Sequence, residues 1–290
     1  MRIDLLLKKK FPDFSRSYLQ SLVKKGHVKV SGKLAKSVHL EVEEDAKIEC
    51  DFPTAKKTKI KLGKNPFKVL FEDENLIAID KPAGITVHPP SPELTIVEIL
   101  GCEDSYLKPI HRLDRDTSGV LLFAKSEKAH FACAQQWKER EVKKTYITLV
   151  KGVFDAKNGV IEAAIARSDK DRRKMAVSLK KGSRPSITDF QVIETFDDCT
   201  LVKVFPKTGR THQIRVHFAS IGHAVLGDIV YGDEKLNKKF RQKLGLTRQF
   251  LHAAELVLKN PQTGKNLKIT SELPKDLSAT LDKVRQVNNR

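Results

Sequence analysis

Three observations predict an α+β protein. Short apolar strands arrive in runs, few helical stretches lie between them, and the first part of the chain is charged differently from the rest. The expected body is a mixed, largely antiparallel sheet preceded by a small basic unit. The chain has 290 residues, enough for two domains of ordinary size. With 40% hydrophobic and 31% charged residues it can bury a sizeable core and keep a polar surface.

The N-terminal unit is predicted over 1–52. Tyr18, Leu19, Leu22 and Val23 recur at helical spacing, with Ser15 placed to cap that helix and Gly26 to stop it. His27 to Val30 alternate as a strand does, Ser31-Gly32 make a turn, and a second strand is expected at 46–52. Residues 53–65 are a basic linker, poor in apolar side chains and holding Lys56, Lys57, Lys59, Lys61 and Lys64. Residues 1–64 carry a formal charge of +8.

The second domain is predicted over 66–290. Strands are expected at 68–71, 76–80, 119–124, 145–150, 159–166, 187–195, 200–205, 253–258 and 267–270. Helices are expected at 127–140, 211–221, 235–243 and 277–287. No repeat period suggests a solenoid or propeller.

Charge narrows the partners. Lys and Arg number 54 against 36 Asp and Glu, a net charge of +18 with a pI near 9.7. Such an excess favours polyanions: nucleic acid first, an anionic membrane surface second. The longest apolar stretch, 119–124, is far short of the roughly 20 residues a bilayer span needs. No signal peptide is visible, since Leu5-Leu6-Leu7 is too short a run between charges, and a cytoplasmic protein is expected. Cys50, Cys102, Cys133 and Cys199 are scattered, which points to reduced thiols rather than disulfides or a zinc knuckle.

Two polar segments stand out. Residues 111–119 read His-Arg-Leu-Asp-Arg-Asp-Thr-Ser-Gly and place two carboxylates and two guanidiniums within five positions, just before an apolar strand. An exposed salt-bridged loop would read the same way. Residues 206–217, Pro-Lys-Thr-Gly-Arg-Thr-His-Gln-Ile-Arg-Val-His, gather donors where a helix should begin. Thr211 is the expected cap, and His212 and Arg215 should share a helix face. Together the segments suggest a cleft lined with paired charges.

These segments resemble those of RluA-type RNA pseudouridine synthases. Residues 111–119 match the H-R-L-D-x-x-T-S-G signature. Asp80-Lys81-Pro82-Ala83-Gly84 with Val87-His88-Pro89, the R-E-x-x-K-x-Y block at 140–146, the T-G-R-x-H-Q-I-R-V-H block at 208–217, Gly227-Asp228 and Leu251-His252-Ala253 follow in the family's order. One departure is Ala224, where proline is common after Gly222-His223; it should alter loop stiffness rather than chemistry. The N-terminal unit is similar to the alpha-L RNA-binding domain.

The resemblance implies an isomerase that breaks the uridine N1–C1′ bond and joins C5 to C1′. Nothing is added, removed or oxidised overall, so no cofactor or metal is required. It assigns the reacting carboxylate to Asp114, its charge partner to Arg215, a uracil-stacking ring to Tyr146 and a base-flipping guanidinium to Arg112. Asp116 matches a variable position, and surface charge pairing is expected of it. Arg16, Lys24, Lys25 and Lys29 are expected to meet RNA phosphates. The implied partner is RNA, ribosomal RNA ahead of transfer RNA, bound by a monomer with no membrane role. Two other enzyme classes fit poorly. A hydrolase with His111, Asp114 and Asp116 on a metal lacks further ligands at a recognisable spacing. A kinase-like His-Arg-x-Asp loop lacks its glycine-rich and Asp-Phe-Gly partners. A non-catalytic RNA-binding protein would be favoured by loss of Asp114, Tyr146 or Arg215, all of which are present.

Overall fold

The computed structural model describes residues 1–52, 67–88, 93–100, 106–169, 171–172 and 174–288. The predicted linker, the predicted domain start at residue 66, Pro89 and Cys102 lie outside the described residues.

The N-terminal unit packs helices α1 (Ile3–Lys10) and α2 (Arg16–Lys24) on strands β1 (Val28–Val30), β2 (Lys33–Leu34) and β3 (Ile48–Cys50), in the order β2-β1-β3. Ile3, Leu7, Leu19, Leu22, Val23 and Val28 form its core. Ser15 caps α2 as expected, accepting the Tyr18 N–H at 3.2 Å, and Gly26 turns the chain at φ +78°. Helix α1 has no counterpart among the sequence expectations. Its buried Ile3, Leu6 and Leu7 have helical spacing, but one apolar turn is too short to show a period.

The second domain is one ten-stranded sheet with helices against it. In chain order it holds β4 (Val69–Glu72), β5 (Leu76–Lys81), α3 (Ile96–Ile99), β6 (Lys108–Pro109), β7 (Ser118–Ala124), α4 (Glu127–Lys138), β8 (Lys143–Lys151) and β9 (Asn158–Glu162). There follow β10 (Ile165–Arg167), β11 (Met175–Val177), β12 (Ile187–Thr195), β13 (Cys199–Pro206), α5 (Gln213–Ser220), α6 (Glu234–Leu244), β14 (Leu251–Lys259), β15 (Asn266–Thr270) and α7 (Lys275–Asn288). The sheet order is β4-β5-β7-β14-β8-β13-β12-β9, with β15 added to β14 and β6 to β7. Only β7 and β14 run parallel among the described strands, so the mixed, largely antiparallel expectation stands. Every residue of β7 is buried.

Two expectations need correction. The strand expected at 159–166 is two: β9 ends at Glu162, and β10 leaves the sheet to pair with β11 as a separate hairpin. Beyond Glu162 the chain still bonds to the segment that leads into β12, with the N–H groups of Ala163 and Ile165 donating to the carbonyls of Ser186 and Arg184 at 3.1 and 2.9 Å. Thr211 does not cap α5 either. The residue before the helix is His212, left-handed at φ 56° and ψ 20° and making no side-chain cap. The turn is held by Gln213, whose Oε1 accepts from Thr208 Oγ1 at 2.7 Å and from the Arg210 N–H at 3.0 Å.

The two domains touch at the start of α4. Asp13 pairs with Lys128 at 3.2 Å, Ser15 Oγ lies 3.3 Å from Glu127 Oε1, and Lys8 Nζ sits 4.4 Å from the Phe131 ring centre. Among the described residues no helix is long and apolar enough to cross a membrane.

Candidate active site

Strand β7 carries the first polar segment at its start, and the loop before it is tied down from three sides. Buried Lys81, ending β5, donates to the carbonyls of Pro82, Arg115 and Thr117 at 2.8, 2.9 and 2.9 Å. Arg248 Nη1 donates to the Asp116 carbonyl at 3.1 Å, and Gln249 Nε2 to Thr117 Oγ1 at 2.7 Å. His111 Nε2 accepts the Leu122 N–H at 3.1 Å while its ring stacks on Trp137. Burial first, then the Lys144 charge, pushes His111 down to about 3, so it is a neutral strut. The alternative of an exposed salt-bridged loop holds only for Arg115, which pairs with Glu93 in solvent.

Asp114 is different. Its side chain is 18% exposed and meets Arg215 Nη1 through Oδ2 at 2.9 Å. His212 Nε2 lies 3.9 Å from its other oxygen. Arg215, on α5 and 7% exposed, gives its remaining edge to buried Asp228, with Nε at 2.6 Å and Nη2 at 2.9 Å. Burial opposes the guanidinium charge, but the bonds to Asp228, then Asp114, raise its pKa further. One arginine is thus held between two carboxylates.

Two cavities, of about 460 and 250 Å³, both reach Arg112, Leu113, Asp114, His212 and Arg215. The smaller one also contains Tyr146 and Lys144, adjacent positions on one face of β8. The Tyr146 phenol is raised above its ordinary range by burial, then by the Asp114 charge, so it stays a neutral hydroxyl. Burial lowers Lys144 to about 8. The larger cavity holds His88, Arg115, Asp116, Ile229, Thr247 and Arg248. Arg112 is exposed where the two meet.

The structure therefore gathers Asp114, Arg215, Tyr146 and Arg112 into one cleft. Asp116, expected to pair at the surface, is instead half-buried in the larger cavity, where its charge acts on Lys81. The N-terminal basic residues lie in the other domain. Lys24, Lys25 and Lys29 are exposed, whereas Arg16 holds buried Asp4 through two nitrogens at 3.0 and 2.7 Å. Sequence reasoning gave Asp228, Tyr231 and Lys81 no part in the site, and placed His212 beside Arg215 on a helix that begins one residue later. Asp228 and Lys81 had a visible signal, each standing in a quoted motif block, but their partners depend on tertiary contacts. Tyr231 places its hydroxyl 2.8 Å from His212 Nδ1 and its ring 5.0 Å from the Arg215 guanidinium carbon. Among the described residues, no group of three or more His, Cys, Asp or Glu is placed to hold a metal ion.

The molecule is a sheet domain with a basic, carboxylate-centred cleft, joined to a small N-terminal domain of two helices and three strands. Residues 75–220 match the RNA pseudouridylate synthase family and residues 1–48 match the S4 domain. The chain belongs to the RNA pseudouridine synthases, in the RluA-type family, and is an isomerase acting on RNA. It is 35% identical over 297 residues to ribosomal large subunit pseudouridine synthase C of Haemophilus influenzae, covering 98% of this chain and 92% of that protein. It is 36% identical over 303 residues to ribosomal large subunit pseudouridine synthase D of Nitrosomonas europaea, covering 99% and 85%. Among solved structures, human RNA pseudouridylate synthase domain containing 4 superposes with a TM-score of 0.63 at 27% identity, covering 75% of this chain and 92% of that one.

Proposed function

We propose that this enzyme isomerises uridines of large-subunit ribosomal RNA, with Asp114 as the reacting carboxylate and no cofactor. The observation that carries the assignment is the Asp114 carboxylate at the junction of two cavities, held by Arg215 at 2.9 Å. Breaking N1–C1′ and forming C5–C1′ leaves the formula of the nucleotide unchanged, so the chemistry calls for a carboxylate rather than a redox carrier. Arg215 offsets the cost of keeping that carboxylate in a partly dry site. Tyr146 gives the uracil a ring to stack on, and Arg112 stands at the mouth to occupy the place the base leaves. Lys24, Lys25 and Lys29 supply phosphate contacts, joined by whatever edge of Arg16 is left open by Asp4. The domains divide at 1–52 and 66–290, and the enzyme works as a cytoplasmic monomer.

The relatives named for the large ribosomal subunit favour ribosomal over transfer RNA. Mapping pseudouridines in both RNAs, from cells with and without the protein, tests this. Sites lost from large-subunit RNA support the proposal; sites lost only from transfer RNA overturn the target. Asp114→Asn is expected to abolish product while RNA binding and unfolding midpoint stay near those of the wild type. An active Asp114→Asn protein beside a dead Asp116→Asn protein would overturn the catalytic assignment.

A further inference from the structure

We propose that Ile229 is an apolar wedge that enters the RNA base stack when the target uridine is extruded. The inference rests on the reading of the cleft as a uridine-isomerising site.

Ile229 is 81% exposed, yet it lines the same cavity as Arg112 and Asp114. A lone exposed aliphatic side chain is ordinary on a protein surface. Its placement and its mounting are not. The turn that presents it is fixed on every side. Buried Asp228 Oδ1 accepts the N–H groups of Val230 and Tyr231 at 2.9 and 3.1 Å, and the Asp228 carbonyl accepts from Gly232 at 2.9 Å. Asn237 brackets the turn, accepting the Gly227 N–H at 2.7 Å and donating to the Asp228 carbonyl at 2.9 Å. Lys174 Nζ reaches the Val230 carbonyl at 3.2 Å, and Met175 N–H reaches the Tyr231 hydroxyl at 2.9 Å. Gly227 approaches the Arg248 backbone so closely that a Cβ would lie 2.0 Å from its carbonyl oxygen. A stiff β-branched side chain thus stands out of a rigid turn at the mouth of a basic cavity.

Extruding a stacked base costs its stacking with both neighbours, and inserted aliphatic side chains are a general means of offsetting that loss. Arg112 contacts the same cavity with a charged plane; Ile229 offers it a neutral hydrocarbon face. The occupant it fits is stacked RNA bases, because Arg112, Arg115 and Arg248 line the same space and would draw phosphate there.

The test uses full-length protein and two short large-subunit ribosomal RNA transcripts. In one the modified uridine is stacked in a stem; in the other the opposing strand is removed, so the base is already free. Single-turnover pseudouridine formation is measured for wild type, Ile229→Ser and Ile229→Leu. Ile229→Ser is expected to lose about tenfold more rate on the stacked RNA than on the free one, with Ile229→Leu restoring most of it. A 2-aminopurine beside the target should brighten when catalytically dead Asp114→Asn protein binds the stacked RNA, and less so when Ile229→Ser is added. Equal losses on both RNAs, or none, overturn the wedge. Product absent from both RNAs with wild-type protein would instead overturn the reading of the cleft, and the wedge with it.

Discussion

Arg215 bonds two carboxylates, that of Asp114, proposed to react, and that of Asp228. Asp228 takes Nε and Nη2 and so turns Nη1 toward Asp114, which fixes the direction from which that bond comes. Removing the Asp228 charge takes two of the three carboxylate bonds from a buried guanidinium, a loss approaching the roughly 3–5 kcal/mol of a broken buried pair. Asp228→Asn is therefore expected to lower stability by about 3 kcal/mol in urea unfolding and to slow single-turnover catalysis at least about tenfold. Lys144 gives a pH signature. Its ordinary value is 10.5 and burial lowers it to about 8, so its charge in the cleft is lost as pH rises through about 8. RNA affinity should fall from pH 7 to 9 in the wild type and much less in Lys144→Gln, measured by titration at constant salt. The stability contribution has the opposite sign. Between about 8 and 10.5 the unfolded chain binds a proton that the folded chain has released, so this residue's contribution rises with pH there and is lost as pH falls through about 8. Asp114, Arg215, Tyr146 and Arg112 were legible because each stands in a dense motif. Asp228 carries no role in the sequence because its partner lies a helix and a turn away. His212 was placed on a helix face, whereas its left-handed backbone, at roughly 1 kcal/mol or more, aims the ring at Asp114 from outside the helix.

Gly119 shows how an element serves the site. It lies beside Ala253 in the parallel contact of β7 with β14, at φ +115°, and a Cβ there would lie 2.2 Å from the Ala253 carbonyl oxygen. Gly119→Ala is expected to cost about 4 kcal/mol or more, read from denaturant unfolding, because the obstacle is backbone and cannot swing aside. Long apolar or alternating strands were legible from their own residues: 187–195 matches β12 in full, and the others, apart from 159–166, differ by a residue or two at their ends. Short elements were not. β6 and β11 have two and three residues, and their pairing comes from neighbours distant in sequence.

At the scale of the molecule, the basic N-terminal unit is fastened to the end of α4 away from the cleft's own loops, through Asp13, Ser15 and Lys8. Deleting 1–64, which carries a formal charge of +8, should weaken binding to long structured RNA and flatten its salt dependence, since fewer counterions are released. Turnover on a saturating short stem-loop should change much less. Equal salt slopes for both proteins would mean the unit only shields the catalytic body. The parallel junction of β7 with β14 has a temporal consequence. Ser118 and His252, bonded across it at 3.0 Å, are 134 residues apart in the chain. A ribosome adding about 5–20 residues per second completes the Asp114, Tyr146, Arg215 and Asp228 positions seconds before the strand that braces them emerges. Nascent chains that end between residues 228 and 250 carry all four of those side chains without the frame that aligns them. A chain ending at residue 250 is therefore expected to form no pseudouridine, and the enzyme to become competent only when its last sheet strands have docked.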